Sequence, residues 1–141
     1  MEEEIENIKR YKYDLTLILL DLNKFKPIND TYGHDAGDAV LKAFGKILAE
    51  NIRKTDKCYR IGGDEFILLL PHTKVQNCLI VIEKLQSLFI TTPIKHKENE
   101  FIISTSYGIA QYDIDGISVE DLLEKADKRM YEYKKSIHEQ R

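Results

Sequence analysis

Gly62 and Gly63 are followed directly by Asp64 and Glu65, and this order of residue types suits the binding of a phosphate together with a metal ion. Glycines let a polyanion approach backbone N–H groups, whereas adjacent carboxylates repel a phosphate unless a cation lies between them. The pattern therefore indicates a metal-bridged phosphate site. A surface turn with solvated acids is the alternative, because turns also favour Gly and Asp.

A further carboxylate, Asp21, follows the aliphatic run at residues 15–20. The run predicts a central strand, so Asp21 lies at a strand's carboxyl end, where ligands often bind. If this strand is adjacent to the glycine-containing hairpin, Asp21 and Asp64 lie close together. Carboxylates gathered at one site require protonation or a cation, and hard oxygen ligands favour Mg²⁺ or Mn²⁺. Taken alone, Asp21 is equally well explained as the end of a strand.

Asn29, His34 and Asp38 form a second polar group, around a predicted helix–turn–helix junction. An acid such as Asp38 can accept hydrogen bonds from two neighbouring donors, which guanine offers through its N1–H and exocyclic amine and adenine does not. Buried hydrogen bonds of this kind discriminate strongly between bases. By spacing alone, Asn29 and Asp38 are explained equally well as turn and capping residues.

The strands that position these residues are predicted from short apolar runs. They are expected at residues 15–20, 57–61, 66–70, 93–97, 100–106 and 107–112. Gly62 and Gly63 then form a hairpin turn, and Gly108 is expected to mark a bulge. The order strand, helix, hairpin, helix, strands and helix predicts an α+β protein with a βαββαβ core, in which helices pack on one side of a mainly antiparallel sheet.

Helices are predicted from apolar residues at helical spacing. They are expected within residues 1–13, at residues 24–32, and after Asp35, Thr73 and Ser118. Gly33 is expected to close the second helix in the αL conformation, and Asp35 to cap the third. A capping box at residues 73–76 is expected to start the fourth, with Leu79 in its buried stripe.

Composition narrows the class of protein. The 141 residues suffice for one domain with a core, and 43% hydrophobic and 32% charged residues are typical of a globular protein. The net charge of −3 argues against a nucleic-acid partner. Cys58 and Cys78 lack CxxC spacing and are expected to be reduced. No apolar run reaches the ~18–20 residues of a membrane span, so a cytoplasmic location without membrane contact by this segment is expected, although a longer parent protein could be membrane-anchored.

Residues 21–38 and 60–66 together resemble the GGDEF family of diguanylate cyclases. The first stretch is D-L-N-K-F-K-P-I-N-D-T-Y-G-H-D-A-G-D and the second is R-I-G-G-D-E-F. Residues 104–110 and 126–131 resemble the later strand and helix motifs of that family. The resemblance covers about residues 15–135, and it implies a ferredoxin-like, palm-type fold related to nucleotidyl cyclases, in agreement with the predicted core.

The resemblance also implies the catalytic and metal-binding residues. Asp21, Asp64 and the backbone carbonyl of Leu22 are expected to bind the divalent metal, Mg²⁺ or Mn²⁺. Asp64 is the candidate general base for the 3′-hydroxyl, and Glu65 supports the site.

The nucleotide-binding residues follow from the same resemblance. Gly62 and Gly63 would pass under the phosphates. Asn29 and Asp38 would bind guanine with His34 beside them, and Lys26 and Lys134 would offset phosphate charge.

Arg53 and Asp56 resemble the family's RxxD inhibitory site, at its usual distance before the hairpin. Arginine suits phosphate and guanine edges, and the acid suits guanine's donors, so binding of the product cyclic di-GMP is chemically sensible. Lys84 is expected to be an accessory basic contact. Without the family pattern, the same residues are explained as a solvated loop with an ion pair worth ~0–1 kcal/mol.

Three departures from the family pattern are expected to affect activity. Asn23 replaces a usual second Asp, which removes one negative charge near the metals. His138 replaces a phosphate-binding arginine and is only partly charged at neutral pH. The family's opening motif is absent, so residues 1–141 are expected to form one GGDEF domain that is truncated at its N-terminus.

The expected function is condensation of two GTP molecules into cyclic di-GMP and two pyrophosphates by a homodimer of facing domains, with product inhibition. The alternative is a catalytically weak module that binds cyclic di-GMP or GTP to regulate a partner. A ferredoxin-like RNA-binding domain is disfavoured by the acidic balance and by the lack of exposed aromatic stacking motifs.

Overall fold

β1 (Leu15–Leu22) is the central strand of the fold, and all of its residues are buried. The computed structural model describes residues 1–139, without the side chains of the last two. β1 pairs antiparallel with β3 (Glu65–Pro71) on one side and with β6 (Thr105–Gln111) on the other. β2 (Lys57–Gly62) extends the sheet beyond β3, which gives the order β2-β3-β1-β6. The predicted antiparallel βαββαβ core is confirmed, and this strand order is the ferredoxin-like one.

Helices cover both faces of this sheet, so the prediction that they pack on one side was wrong. The helices are α1 (Glu2–Tyr11), α2 (Phe25–Tyr32), α3 (His34–Glu50), α4 (Val75–Thr91) and α5 (Val119–Glu139). Ile18 and Leu20 of β1 pack in one apolar cluster with α3 and α4. Leu17 and Leu19 pack in a second cluster with α1 and α5. Because successive β1 residues are apolar, each face of the strand requires its own cover.

The junction between α2 and α3 is tighter than predicted. Gly33 has φ 91° and ψ 167°, a positive φ outside the αL region, and it is at once the C-cap of α2 and the N-cap of α3. α3 therefore begins at His34, and Asp35 lies in its first turn instead of capping it. A carboxylate there still interacts favourably with the positive end of the helix dipole.

The predicted capping box at Thr73 does not form. The Thr73 hydroxyl accepts from Arg53 Nη2 (2.7 Å) and donates to the Pro71 carbonyl (2.9 Å). Instead, the N–H of Val75 donates to Gln111 Oε1 from β6 (3.3 Å). The capping pattern was misleading because the Thr73 hydroxyl hydrogen bonds with Arg53, which is distant in sequence, and not with the start of α4.

Two packing details also differ from expectation. Leu79 is 39% exposed, and Cys78 takes its place in the buried face of α4. The β1–β6 register runs through Gly108 without a bulge. A Cβ at Gly108 would lie 1.8 Å from the carbonyl oxygen of Ala126, so this glycine permits the backbones of β6 and α5 to approach closely.

A separate two-stranded hairpin, β4 (Ile94–His96) with β5 (Asn99–Phe101), follows α4. In the described part of the chain, no helix combines the length and apolar character that crossing a membrane requires.

Candidate active site

The register of the sheet brings the two acidic motifs together. Asp21 lies opposite Glu65 in the β1–β3 pairing, and the N–H of Leu22 donates to the carbonyl oxygen of Asp64 at 3.3 Å. Asp21 is 7% exposed. The predicted proximity of Asp21 and Asp64 is confirmed, because β1 and β3 are neighbours.

Asp64 and Glu65, the two acids beside Asp21, have raised pKa values. Burial, followed by the neighbouring Asp21 carboxylate, raises the pKa of Asp64 to about 6. Burial also raises the pKa of Glu65, with smaller contributions from Asp21 and Asp127. Lys134 of α5 forms an ion pair with Asp21, and its positive charge counteracts part of the rise in the pKa values of Asp64 and Glu65. The site therefore concentrates negative charge that a single lysine offsets incompletely.

A cavity of about 570 Å³ opens beside these acids. Its lining includes Asp21, Leu22, Asp64, Lys26 and Lys134, all of which the sequence had indicated. Glu65 adjoins the cavity through its register with Asp21 without lining it. A lining with both acids and lysines suits a ligand made of a metal ion and a phosphate, because the acids attract the metal ion and the lysines attract the phosphate.

The start of α2 also lines this cavity, which the sequence reasoning had missed. Lys24 is the N-cap with φ 59°, no side chain caps the helix, and its first turn holds no acid. Lys24, Phe25 and Pro27 all face the cavity. Uncapped backbone N–H groups at a helix start bind anions readily. The lysine at position 24, directly before the helix, is not a capping residue type, and this was the available clue.

The donor atoms at this point fit a divalent metal ion. With Asp64 ionised, Oδ1 of Asp21 is buried and finds no hydrogen-bond donor among the described residues. A buried acceptor without a partner is costly and calls for an explanation, which a cation supplies. Among the side chains of residues 1–137, no group of three or more His, Cys, Asp or Glu is arranged around one point. Hard oxygen donors of the kind that suit Mg²⁺ or Mn²⁺ are available here from the carboxylates of Asp21 and Asp64 and from the Leu22 carbonyl.

The β2–β3 turn carries the glycine pair. Gly63 has φ 43°, in the left-handed region, and a Cβ on either Gly62 or Gly63 would meet no atom within 4 Å. Arg60 Nε donates to the Gly63 carbonyl at 3.0 Å, which holds the turn. The backbone of this turn is accessible to a bulky anion.

The predicted guanine-binding residues lie on α2 and α3, outside the lining of the large cavity. A Cβ on Gly37 would lie 1.7 Å from Oδ1 of Asn29, so the Asn29 amide packs directly against the start of α3. His34 and Asp38 are exposed and, four residues apart, lie on one face of α3. Asn29 lies beside Gly37, the neighbour of Asp38 in the chain, whereas neither Asn29 nor Asp38 lines the cavity that contains Asp21.

Asn23, the first departure from the family pattern, bridges two serines. Its Nδ2 donates to Ser104 Oγ at 3.0 Å, and its Oδ1 accepts from Ser106 Oγ at 2.6 Å. These contacts, between residues 81 and 83 positions apart, were not foreseen. The side chain of His138, the second departure, lies outside the described residues.

A family model described as "Diguanylate cyclase, GGDEF domain" matches residues 1–140. The chain belongs to this family. The sequence resemblance to GGDEF domains is thereby confirmed.

Curated relatives of this GGDEF domain include Diguanylate cyclase A of Treponema denticola, 35% identical over 125 residues, which are 89% of this chain and 34% of the relative. The Response regulator PleD of Caulobacter vibrioides is 35% identical over 86% of this chain and 27% of its own length. The chain thus spans between about a quarter and a third of the length of these relatives.

Solved structures share the fold. The GGDEF domain of PA1120 from Pseudomonas aeruginosa superposes with a TM-score of 0.89 at 29% identity, covering 95% of this chain and 84% of that one. The diguanylate cyclase SiaD of P. aeruginosa, solved in complex with its activator SiaC, gives a TM-score of 0.89 at 32% identity over 96% of this chain and 52% of its own.

A second cavity of this GGDEF domain, of about 260 Å³, contains the RxxD residues. Asp56 is buried, and Arg53 Nη2 contacts its Oδ1 at 3.0 Å. The same nitrogen donates to the Pro71 carbonyl (2.8 Å) and to the Thr73 hydroxyl. Lys84 is exposed on α4 and does not line this cavity, although it lies one turn beyond Val81, which does. Arg53 and Asp56 are therefore paired with each other.

Proposed function

We propose that this GGDEF domain condenses two GTP molecules into cyclic di-GMP and two pyrophosphates. The observation that carries the proposal is the position of Asp21, which is buried, beside Asp64, which is half-buried and has a raised pKa. Both line a cavity that also holds lysines and an uncapped helix start. This arrangement binds a triphosphate only with a divalent cation.

Asp21, Asp64 and the Leu22 carbonyl would hold Mg²⁺ or Mn²⁺. When bound, the cation supplies positive charge to the phosphoryl oxygens and lowers the pKa of a neighbouring hydroxyl. Asp64 is the proposed general base, since its pKa of about 6 lies closer to neutral pH than the pKa of an ordinary aspartate. Glu65, directly opposite Asp21, supports the acidic cluster.

The triphosphate would lie between the glycine turn and the start of α2. Gly62 and Gly63 leave the backbone open, and Lys26 and Lys134 offset phosphate charge. Lys134 would exchange part of its contact with Asp21 for a phosphate oxygen. This role is supported by its place on the cavity wall.

Guanine would be bound by Asn29 and Asp38, with His34 beside them. The Asp38 carboxylate suits the N1–H and exocyclic amine of guanine, which adenine does not present together. Asp38 is exposed in the structure, so the bound guanine would itself shield the Asp38 carboxylate from water.

Each domain would bind one GTP, and two domains would face each other as a homodimer. The 3′-oxygen of one nucleotide attacks the α-phosphorus of the other, the α–β phosphoanhydride bond breaks, and pyrophosphate leaves. The hydroxyl proton passes to Asp64. Two such transfers close the ring, and the juxtaposition of two bound nucleotides supplies much of the rate enhancement.

Asp64→Ala tests the proposal directly. We expect cyclic di-GMP formation from GTP and Mg²⁺, followed by chromatography, to fall by at least 100-fold, because both the metal ligand and the base are lost. Glu98→Ala, which removes an exposed carboxylate in the β4–β5 turn, should retain full activity. Undiminished product formation by the Asp64 variant would refute the assignment.

We further propose product inhibition at the RxxD cavity, since Arg53 and Asp56 lie together in a cavity separate from the catalytic one. Cyclic di-GMP would displace Arg53 from Pro71 and Thr73 and use the Asp56 carboxylate. If this domain produces no cyclic di-GMP, the same cavity supports the alternative function of a cyclic di-GMP-binding module.

Arg53→Ala is expected to abolish cyclic di-GMP binding in calorimetry and to relieve inhibition, because the guanidinium is the main anion-binding group there. Lys54→Ala, which removes the adjacent exposed charge, is the matched control and should bind normally. Unchanged binding by the Arg53 variant would exclude this cavity.

A further inference from the structure

The cluster formed by Asn23, Ser104 and Ser106 fastens the end of β1 to β6. Besides the two side-chain hydrogen bonds, the N–H of Asn23 donates to the Ser104 carbonyl at 3.0 Å. These hydrogen bonds fix the orientation of the Asn23 amide, because its nitrogen donates to Ser104 and its oxygen accepts from Ser106. All three residues line the large cavity.

Ser106 is also the direct neighbour of Asp21. The two residues are opposite one another in the β1–β6 register, so their side chains project from the same face of the sheet. Ser106 is fully buried, and so no bulk water competes for its hydroxyl. Its hydroxyl donates to the Asn23 amide oxygen, and the Asp21 carboxylate opposite it is the acceptor that we expect to replace Asn23 if that amide is removed.

A serine hydroxyl has a single proton to donate. In this structure Ser106 donates it to Asn23 at 2.6 Å, and Oδ1 of Asp21 has no donor among the described residues. A carboxylate oxygen that accepts a hydrogen bond from a buried hydroxyl is a weaker ligand for a cation, because the two compete for the same electrons.

We infer that Asn23 is a positioning residue for metal binding. Its amide oxygen accepts the hydrogen bond from Ser106, and Oδ1 of Asp21 thereby stays free for a divalent cation. The inference rests on the proposed function, because it assumes that Asp21 is a metal ligand. It assigns a specific task to an asparagine where the family usually has an aspartate. A carboxylate at position 23 would accept the same proton, so both residue types serve.

The test measures Mn²⁺ binding by electron paramagnetic resonance, in the presence of saturating 3′-deoxy-GTP, which lacks the attacking hydroxyl. Asn23→Ala is expected to weaken Mn²⁺ binding about 10-fold, the lower end of the effect typical for groups that support metal ligands. Asn23→Asp should bind Mn²⁺ at least as tightly as the wild type. Asn7→Ala, an exposed asparagine on α1, is the control and should not differ.

The double variant Asn23→Ala/Ser106→Ala separates this role from a merely structural one. Removing the hydroxyl should restore most of the Mn²⁺ affinity that Asn23→Ala loses, since no proton then competes for Asp21. A double variant that binds as weakly as Asn23→Ala, or a single variant that binds like the wild type, would overturn the inference and leave the proposed function intact. If the wild type binds no Mn²⁺, both are overturned. Circular dichroism melting curves, taken for every variant, verify folding.

Discussion

At the scale of residues, the active site is assembled at a cost to stability. Asp21 and Asp64 are partly desolvated next to one another, with one lysine to offset them. Residues selected for folding alone would not be arranged in this way, because buried like charges destabilise the folded state. The cation of the proposed function would offset this cost.

Asp64→Asn is expected to stabilise the metal-free domain. The folded state raises the pKa of Asp64 from 3.8 to about 6, so the stability that this group contributes is present below its unfolded pKa and is lost as the pH rises through about 6. At pH 7 the ionised carboxylate destabilises the fold, by about 1 kcal/mol after allowance for its solvent exposure. Urea denaturation in EDTA should show the Asn variant more stable by that amount at pH 7.5.

The same comparison at pH 5 provides the control, because wild-type Asp64 is then largely protonated in the folded state and the difference should narrow. A variant that is less stable than the wild type, or a difference that does not change with pH, would contradict this account of the acidic pair.

At the scale of elements, α5 must lie very close to β6 for Lys134 to reach Asp21. Gly108 permits this approach, since a side chain there would meet the α5 backbone at Ala126. Met130 and Ala126 are buried against the same face of the sheet. The position of the lysine in the active site is thus set by a glycine on a neighbouring strand.

Gly108→Ala is expected to destabilise the domain by about 2 kcal/mol or more, because backbone atoms of α5 cannot move aside as a side chain would. Affinity for GTP should fall as well, since Lys134 shifts with α5. Gly45→Ala in α3 is the matched control: its Cβ would lie 3.4 Å from Phe66, an ordinary contact, and alanine favours a helix by ~0.5–1 kcal/mol. Thermal unfolding and GTP calorimetry measure both effects, and a Gly108 variant as stable as the wild type would show that the approach of α5 is not tight.

The sequence predicted the elements and the acidic pair because both depend on local patterns. The run before Asp21 and the glycine turn before Asp64 predicted two strands, and the two acids were expected to meet on the condition that these strands are neighbours. The sequence did not predict that the Thr73 hydroxyl hydrogen bonds with Arg53 instead of capping α4, and it did not predict the contacts of Asn23 with Ser104 and Ser106. Each of these contacts joins residues that only the tertiary fold brings together. The two-sided cover of the sheet was likewise missed, although the unbroken apolar run of β1 indicated it.

At the scale of the whole molecule, the domain presents two separate cavities. One contains Asp21 and Asp64 at the end of the central strand, and the other contains Arg53 and Asp56 beside the start of α4. Among the proposed guanine-binding residues, His34 and Asp38 are exposed on α3 and Asn29 is half-buried on α2. In the proposed reaction each domain holds one GTP and the 3′-hydroxyl of one nucleotide attacks the other, so the proposed catalysis requires two copies.

The most direct test of this account is cyclic di-GMP formation from GTP and Mg²⁺, measured over a wide range of protein concentration. Facing half-sites predict that the activity per mole of protein rises with concentration and then levels off as the dimer becomes saturated. Activity per mole that stays constant down to concentrations at which ultracentrifugation shows a monomer, or no product at any concentration, would contradict it.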